Sequence, residues 1–215
     1  MHAAKKVVVP GPVITISREC GCSGQLLAEK LTERINNKIN DPDKNWKWIS
    51  KEILNLASEE LQINPEQMSI LLRAEEKNFL DEIVYSFTDK YYVFDTKIKK
   101  VIEEVIRSTA VRGNAVILGR GSELLSRDIP RSLHVKLLAP MSWRVEVISE
   151  RMKISHEEAK KFINKVDNQR AKFREAYIDK KQDPFIYDLE FNCAKFKPND
   201  IIDLIMNAVE IRSLL

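Results

Sequence analysis

Short apolar runs alternate with longer segments of helical spacing along most of the chain. The run from Val13 to Ile16 predicts a buried strand, which leads through a small-residue loop into an amphipathic helix. Further strands are predicted at residues 115–118, 133–138 and 188–192. Apolar residues three and four positions apart predict helices at residues 24–37, 97–112, 142–152, 155–177 and 198–215. Strands that alternate with helices are typical of a parallel sheet covered on both faces, which binds its ligand at the carboxyl ends of the strands.

The region after the first helix has a different pattern. Residues 40–48 are polar, contain an Asp-Pro pair and are interpreted as a connection. Helical patterning resumes after Ser50, and Asn64 and Pro65 open a further helix, so we interpret this region as a mobile subdomain. Aromatic residues flank it and either stack on a base or pack in the core, which is the commoner role: Trp46, Trp48, Tyr91 and Tyr92.

Composition narrows the class of protein. A chain of 215 residues with 44% hydrophobic residues can bury one sizeable core, so residues 1–215 are expected to form a single domain with insertions. The 35 basic and 32 acidic residues nearly balance, which predicts neither a nucleic acid nor a membrane surface as partner. No apolar run approaches the roughly 20 residues that span a bilayer. Three cysteines without a regular framework, and no signal segment, predict a cytoplasmic protein.

The loop between the first strand and helix has the features of a phosphate cradle. Its small residues let backbone N–H groups approach an anion, and the positive end of the helix dipole faces the same point. The pattern G-x-x-x-x-G-K-[ST] ends in a glycine, a lysine and a hydroxyl residue where this chain has Gly24, Gln25 and Leu26, so the lysine and the hydroxyl are missing. A loop lysine stabilises the transition state by a few kcal/mol. If no other residue compensates for its loss, the protein would still bind phosphate but would transfer it slowly.

Arg120 is a second candidate. It stands between Gly119 and Gly121 at the end of a predicted strand, where the glycines let a ligand come close. A guanidinium there could hold a phosphate bidentately. The alternative is an ordinary turn with an exposed arginine.

A polar helix supplies the third candidate group. Asp167, Arg170 and Arg174 recur three and four residues apart and therefore share one helix face. Arginines on a closing flap would suit phosphoryl transfer, which needs positive charge near the oxygens of the transferred group. The alternative is a solvated surface with ion pairs between neighbouring turns.

Four stretches of the chain together match a known pattern: Ile14 to Glu19 ahead of the glycine loop, Val116 to Gly121, Leu137 to Arg144 with its Ala139-Pro140, and Lys165 to Arg170 ahead of Tyr187-Asp188-Leu189. On these stretches the sequence resembles the cytidylate kinase-like family over nearly its whole length. The resemblance implies an α/β fold, a P-loop NTPase-type three-layer sandwich whose parallel sheet of about five strands is flanked by helices. It also implies a helical insertion that binds the nucleoside monophosphate at residues 42–95 and a lid at residues 153–183.

The implied function is ATP-dependent phosphoryl transfer to a nucleoside monophosphate, CMP or dCMP, with ATP and Mg²⁺ as cofactors. The donor would lie on the loop and on one distant arginine: Ser17, Arg18, Glu19, Cys20, Gly21, Cys22, Ser23, Gly24, Gln25 and Arg151. The acceptor would contact Gly119, Arg120, Gly121 and Asp167. The catalytic residues would be Arg120, Arg170 and Arg174. A homodimer could form through apolar surface on the insertion helices.

The chain departs from the family pattern at several positions. Relatives often have a glycine-glycine-arginine run where this chain has Ser23-Gly24-Gln25, and Cys20 and Ser50 stand where tyrosine and aspartate are common. Two alternatives therefore stay open. One is a catalytically impaired nucleotide-binding module, and the other is a kinase for another small metabolite.

The three cysteines are a separate group of candidates. Cys20 and Cys22 resemble half of a metal motif, but with only Cys193 and scattered histidines elsewhere we predict no metal site. A thiol at a helix N-terminus can have a lowered pKa, so oxidation of Cys22 that blocks nucleotide access is a side hypothesis.

Overall fold

The computed structural model describes residues 10–50, 52–53, 56, 96–178 and 183–215. Most of the implied insertion lies outside the described residues. This covers Tyr91, Tyr92, the helix opened by Asn64 and Pro65, and the apolar surface expected to serve a dimer.

Five parallel strands form one sheet at the centre of the molecule. They are β1 (Val13–Arg18), β2 (Lys47–Ile49), β3 (Ala115–Leu118), β4 (Ser132–Leu138) and β5 (Leu189–Asn192). Their spatial order is β2-β3-β1-β4-β5, and Thr15 of β1 pairs with Ile117 on one side and His134 on the other. Because β1 is the central strand, the loop that follows it opens in the middle of the carboxyl edge.

Helices connect these strands. They are α1 (Gly24–Ile39), α2 (Thr96–Arg112), α3 (Ser122–Leu125), α4 (Met141–Met152), α5 (His156–Glu175) and α6 (Pro198–Ile211). The predicted capping box at Ser155 and Glu158 starts α5, since the Ser155 side chain accepts from the Glu158 amide and Glu158 accepts from the Ser155 amide. In the part of the chain that the structure describes, every helix is too short or too polar to cross a membrane.

The core has two halves, one on each face of the sheet. Ile14 and Ile16 pack against α1 and α6, whereas Val13 packs against α2 on the opposite face. This alternation follows from the two-residue period of a strand. Helix, sheet and helix thus form three layers, and the predicted α/β class with a five-stranded parallel sheet is confirmed.

The interpretation of residues 40–48 as a connection was wrong in part. A 3-10 helix (Pro42–Lys44) and strand β2 lie at residues 42–49, and β2 pairs with β3 at the edge of the sheet. The Asn36 side chain fixes the residue before β2, because it accepts a hydrogen bond from the Trp46 amide at 2.7 Å and donates one to the Trp46 carbonyl at 3.0 Å. These contacts are tertiary, and a three-residue strand is too short to show an alternating pattern.

The same region bears on two earlier expectations. Trp46 is buried in the core and Trp48 packs against it, which favours packing over base stacking for both side chains. Since β2 belongs to the sheet, a helical insertion here can begin only after Ile49 and not at residue 42.

Candidate active site

The loop between β1 and α1, residues 19–23, is fixed to the neighbouring strand and to itself. The Glu19 amide donates to the Leu137 carbonyl of β4 at 3.0 Å. Within the loop, the amides of Cys22 and Gly24 donate to the carbonyls of Glu19 and Cys22. Gly21 has a φ of +97°, and a Cβ there would lie 3.2 Å from the Cβ of Arg144. A glycine is therefore required at the tightest point of this first loop.

A buried guanidinium lies next to the first loop. Arg144 on α4 is 7% exposed, and its Nε donates to the Ala139 carbonyl at 3.0 Å. Its Nη1 is 2.5 Å from Asp167 Oδ2, and its Nε is 3.5 Å from Glu19 Oε2. Because a buried charge must be paired, these two carboxylates account for the position of Arg144. One arginine thus joins the first loop to α5.

The sequence carries a signal for Arg144 in the spacing of the apolar residues on α4. Arg144, Ile148 and Met152 are the buried residues of α4 and recur every four positions. An arginine on the buried face of a helix requires carboxylate partners from other segments, which could have pointed to Glu19 and Asp167.

Asp167 is bound on both of its oxygens. Oδ1 accepts from the Cys20 amide at 2.8 Å, and Oδ2 accepts from Arg144. The carboxylate therefore holds the first loop in place, and substrate contact by Asp167 stays a prediction that these bonds do not favour.

The side chain of Arg18, the last residue of β1, lies against Gly24 at the beginning of α1. A Cβ added to Gly24 would lie 3.2 Å from Arg18 Cγ, and one added to Gly119 would overlap Arg18 Nη1. The side chain therefore runs from the first loop to the end of β3. Its alkyl part fills the space that a side chain at position 24, next to the usual lysine position at Gln25, would need.

Three consecutive residues at the end of β3 have left-handed backbone. Gly119, Arg120 and Gly121 have φ values of +75°, +64° and +64°. For Arg120 this conformation costs about 1 kcal/mol, which is characteristic of functional positions. The turn aims the Arg120 guanidinium at α5, where it lies 5.7 Å from the centre of the Phe173 ring.

Arg174 on α5 is bound to a carboxylate beside that turn. Its Nε lies 2.8 Å from Oε1 of Glu123, which is 2% exposed. Tyr187 donates its hydroxyl to the same oxygen at 3.2 Å, and burial followed by the Glu123 charge raises the pKa of Tyr187 to about 12. We missed Glu123 and Tyr187 from the sequence because Glu123 on α3 and Tyr187 ahead of β5 are 64 residues apart and meet only in the folded chain.

The remaining arginines also lie near the first loop. Arg170 Nη1 donates to the Arg18 carbonyl at 3.4 Å, and Arg151 Nη2 lies 3.5 Å from Ser23 Oγ. By contrast, the thiols of Cys20 and Cys22 belong to buried apolar clusters, so these two residues could reach a ligand only through their backbone. Gln25 is exposed at the start of α1, and Ser17 hydrogen-bonds Tyr187.

Residues 13–195 match the sequence model of the cytidylate kinase-like family. A cytidylate kinase from Methanocaldococcus jannaschii is 30% identical over 118 residues, which span 52% of this chain and 66% of that protein, under two thirds of its length. An uncharacterized protein from Eubacterium ventriosum aligns with a TM-score of 0.62 and 22% identity over 92% of this chain and 97% of that chain. That likeness bears on the fold alone.

Proposed function

Because the chain belongs to the cytidylate kinase-like family, we propose that it transfers the terminal phosphoryl group of ATP to a nucleoside monophosphate, CMP or dCMP. One observation carries this proposal: arginines from three separate segments converge at the carboxyl ends of β1 and β3. They are Arg18, Arg120, Arg170 and Arg174. Phosphoryl transfer needs such converging positive charge and little covalent chemistry from the protein.

In this proposal Arg18 replaces the missing loop lysine. Its side chain already lies across Gly24 and ends at Gly119, between the donor loop and the acceptor turn. A guanidinium there can bridge oxygens of both phosphates, since its fork donates in two directions. The donor phosphates would lie against the first loop, with Arg151 beside Ser23 at its outer end.

The acceptor phosphate would bind at the turn of Gly119, Arg120 and Gly121. Arg170 and Arg174 would stabilise the transferred group from α5, within a lid at residues 153–183. The Arg174 guanidinium is held by the buried Glu123 carboxylate, and a phosphate would compete for it. Lid closure would also exclude water, which prevents hydrolysis of ATP.

Magnesium fits this site only together with the nucleotide. Within the described ranges, no group of three histidine, cysteine, aspartate or glutamate residues could hold a metal ion. Mg²⁺ commonly relies on substrate phosphates and waters for most of its ligands. In this proposal it would neutralise phosphate charge as part of the ATP complex.

A specific observation favours a second candidate, a nucleotide-binding module without turnover. The amides of Cys20, Cys22 and Gly24 all donate to protein groups. Those amides are therefore not directed at a ligand, and fewer donors remain for the donor phosphates than in an open cradle.

One experiment separates the candidates. ADP release is measured by a coupled assay over a panel of nucleoside monophosphates and small hydroxyl-bearing metabolites, beside calorimetry of ATP binding. Turnover with CMP or dCMP supports the kinase. ATP binding without turnover on any acceptor supports the binding module, and turnover on a non-nucleotide alone shows a metabolite kinase. An absence of both binding and turnover overturns all three.

A further inference from the structure

Two cysteines that are distant in sequence pack in one cluster. Cys22 lies in the first loop, and Cys193 follows the last residue of β5. Cys193 packs against the buried cluster that contains Cys22, and each thiol shifts the pKa of the other. The backbone fixes this approach, because the Glu19 amide donates to the Leu137 carbonyl and the Cys193 amide donates to the Leu138 carbonyl at 2.8 Å. Both segments are thus attached to the end of β4, which lies between β1 and β5.

The two thiols are not equivalent. Cys193 is partly exposed and Cys22 is 7% exposed. The neighbouring Cys22 thiol, more than any other group, lowers the pKa of the Cys193 thiol. The Cys193 thiol, together with burial, raises the pKa of Cys22. The burial of Cys22 opposes the expected activation by the helix N-terminus, and the more exposed Cys193 is the thiol that a peroxide reaches first.

We propose that Cys22 and Cys193 are a redox-active pair, in which a peroxide converts the two neighbouring thiols into a disulfide between the first loop and the end of β5. The Cys193 thiolate attacks hydrogen peroxide, takes one oxygen as a sulfenic acid and releases hydroxide, which is protonated to water. The Cys22 sulfur then attacks the Cys193 sulfur and gives up its proton. The disulfide forms as a second water leaves, so two thiols and one peroxide yield one disulfide and two waters.

The disulfide would act on the first loop. Cys22 is one residue before Ser23, which precedes α1, and the new bond would hold this point against β5. This consequence depends on the proposed function: if ATP phosphates bind the first loop, the oxidised protein should bind ATP at least about tenfold more weakly. A thiol reductant should restore binding, because disulfide exchange is reversible.

The bond itself is tested by intact mass and peptide mapping after treatment with dilute hydrogen peroxide. Wild type should lose about 2 Da and yield a peptide pair that joins Cys22 to Cys193. Cys193→Ser should show no such loss. Cys22→Ser should instead accumulate oxygen adducts on Cys193, about 16 Da each, because the resolving thiol is absent.

Cys20→Ser is the matched control. Cys20 is two residues from Cys22 but packs in a different cluster, with Ile148 and Phe162. This variant should form the disulfide as wild type does. No mass loss in wild type, or a disulfide that involves Cys20, would overturn the proposal.

Calorimetry with ATP on reduced and oxidised wild type tests the consequence separately. Weaker binding after oxidation supports it, and equal binding refutes control of nucleotide access by the pair. If the reduced protein binds no ATP while the disulfide forms, the proposed function fails and the thiol chemistry stands.

Discussion

Arg144 on α4 and Asp167 on α5 form an ion pair with a separation of 2.5 Å next to the first loop. Arg144 is nearly fully buried, and Asp167 also accepts the Cys20 amide. The loop conformation therefore depends on a contact between two helices that are not part of it. We expect this pair to set both the stability of the fold and the shape of the loop.

Arg144→Met should lower the free energy of unfolding by about 3 kcal/mol, because it leaves Asp167 and Glu19 without their main cation. Arg144→Lys should lose less, since it keeps the charge but not the fork geometry. Urea unfolding followed by tryptophan fluorescence measures both, because Trp46 is buried in the native state. A double-mutant cycle with Asp167→Asn isolates the coupling energy.

The surface pair of Arg34 and Asp203 provides the matched control. Its side chains are 62% and 61% exposed, so Arg34→Ala should change stability by less than about 1 kcal/mol. A coupling energy for Arg144 and Asp167 no larger than that of this surface pair would contradict the assigned role.

Arg120→Lys should reduce kcat/KM for the nucleoside monophosphate by about 100-fold, as expected when a group that stabilises the transition state loses its geometry. Initial rates at varied acceptor concentration check this and separate kcat from KM. Arg112→Ala, an exposed position at the end of α2, should leave both constants unchanged. If Arg120→Lys keeps the wild-type rate, Arg120 does not belong to the acceptor site.

Gly24→Lys, which places a lysine beside the usual lysine position at Gln25, should lower turnover. A Cβ at position 24 would lie 3.0 Å from Leu118 Cδ1 and 3.2 Å from Arg18 Cγ, so the lysine would displace Arg18. Arg18→Ala should also be nearly inactive, at about 100-fold below wild type. The double variant should recover part of that loss, because the lysine then enters a vacated space.

Steady-state rates for the two single variants and the double variant give the answer. Higher activity of Gly24→Lys alone than of wild type would show that Arg18 does not take the place of the loop lysine.

Local patterns were sufficient for most of the fold. β1, β3 and β4 are mainly apolar runs, β5 alternates apolar and polar residues, and the Ser155 capping box marks the start of α5, so each is encoded within a few residues. β2 could not be found this way, because it has three residues and depends on Asn36 and β3.

The candidate site also contains residues that a local pattern marks and residues that only the fold brings together. Arg120 is marked by its flanking glycines, whereas the bond between Arg144 and Asp167 joins residues 23 positions apart. The contact between Cys22 and Cys193 depends on β5 lying beside β4, which no local pattern records.

A last prediction concerns His134, a buried histidine of β4. It is 5% exposed, its Nδ1 is hydrogen-bonded to Thr15 Oγ1 at 2.8 Å, and Phe185 packs edge-on against its ring. Burial lowers its pKa to about 4, which outweighs the nearby Asp188 carboxylate that favours the charged form. In the unfolded chain its pKa returns to about 6.5.

Between these two pKa values the unfolded state binds more protons than the folded state, so stability falls as the pH decreases. The contribution of His134 to the free energy of unfolding is fully present above about pH 6.5, and about 2 kcal/mol of it should be lost by about pH 5.

Urea unfolding at about pH 7.5 and about pH 5 measures this loss. His134→Gln should reduce the difference between the two conditions by about 2 kcal/mol, whatever its own stability. An unchanged difference in His134→Gln would mean that another group causes the acid sensitivity.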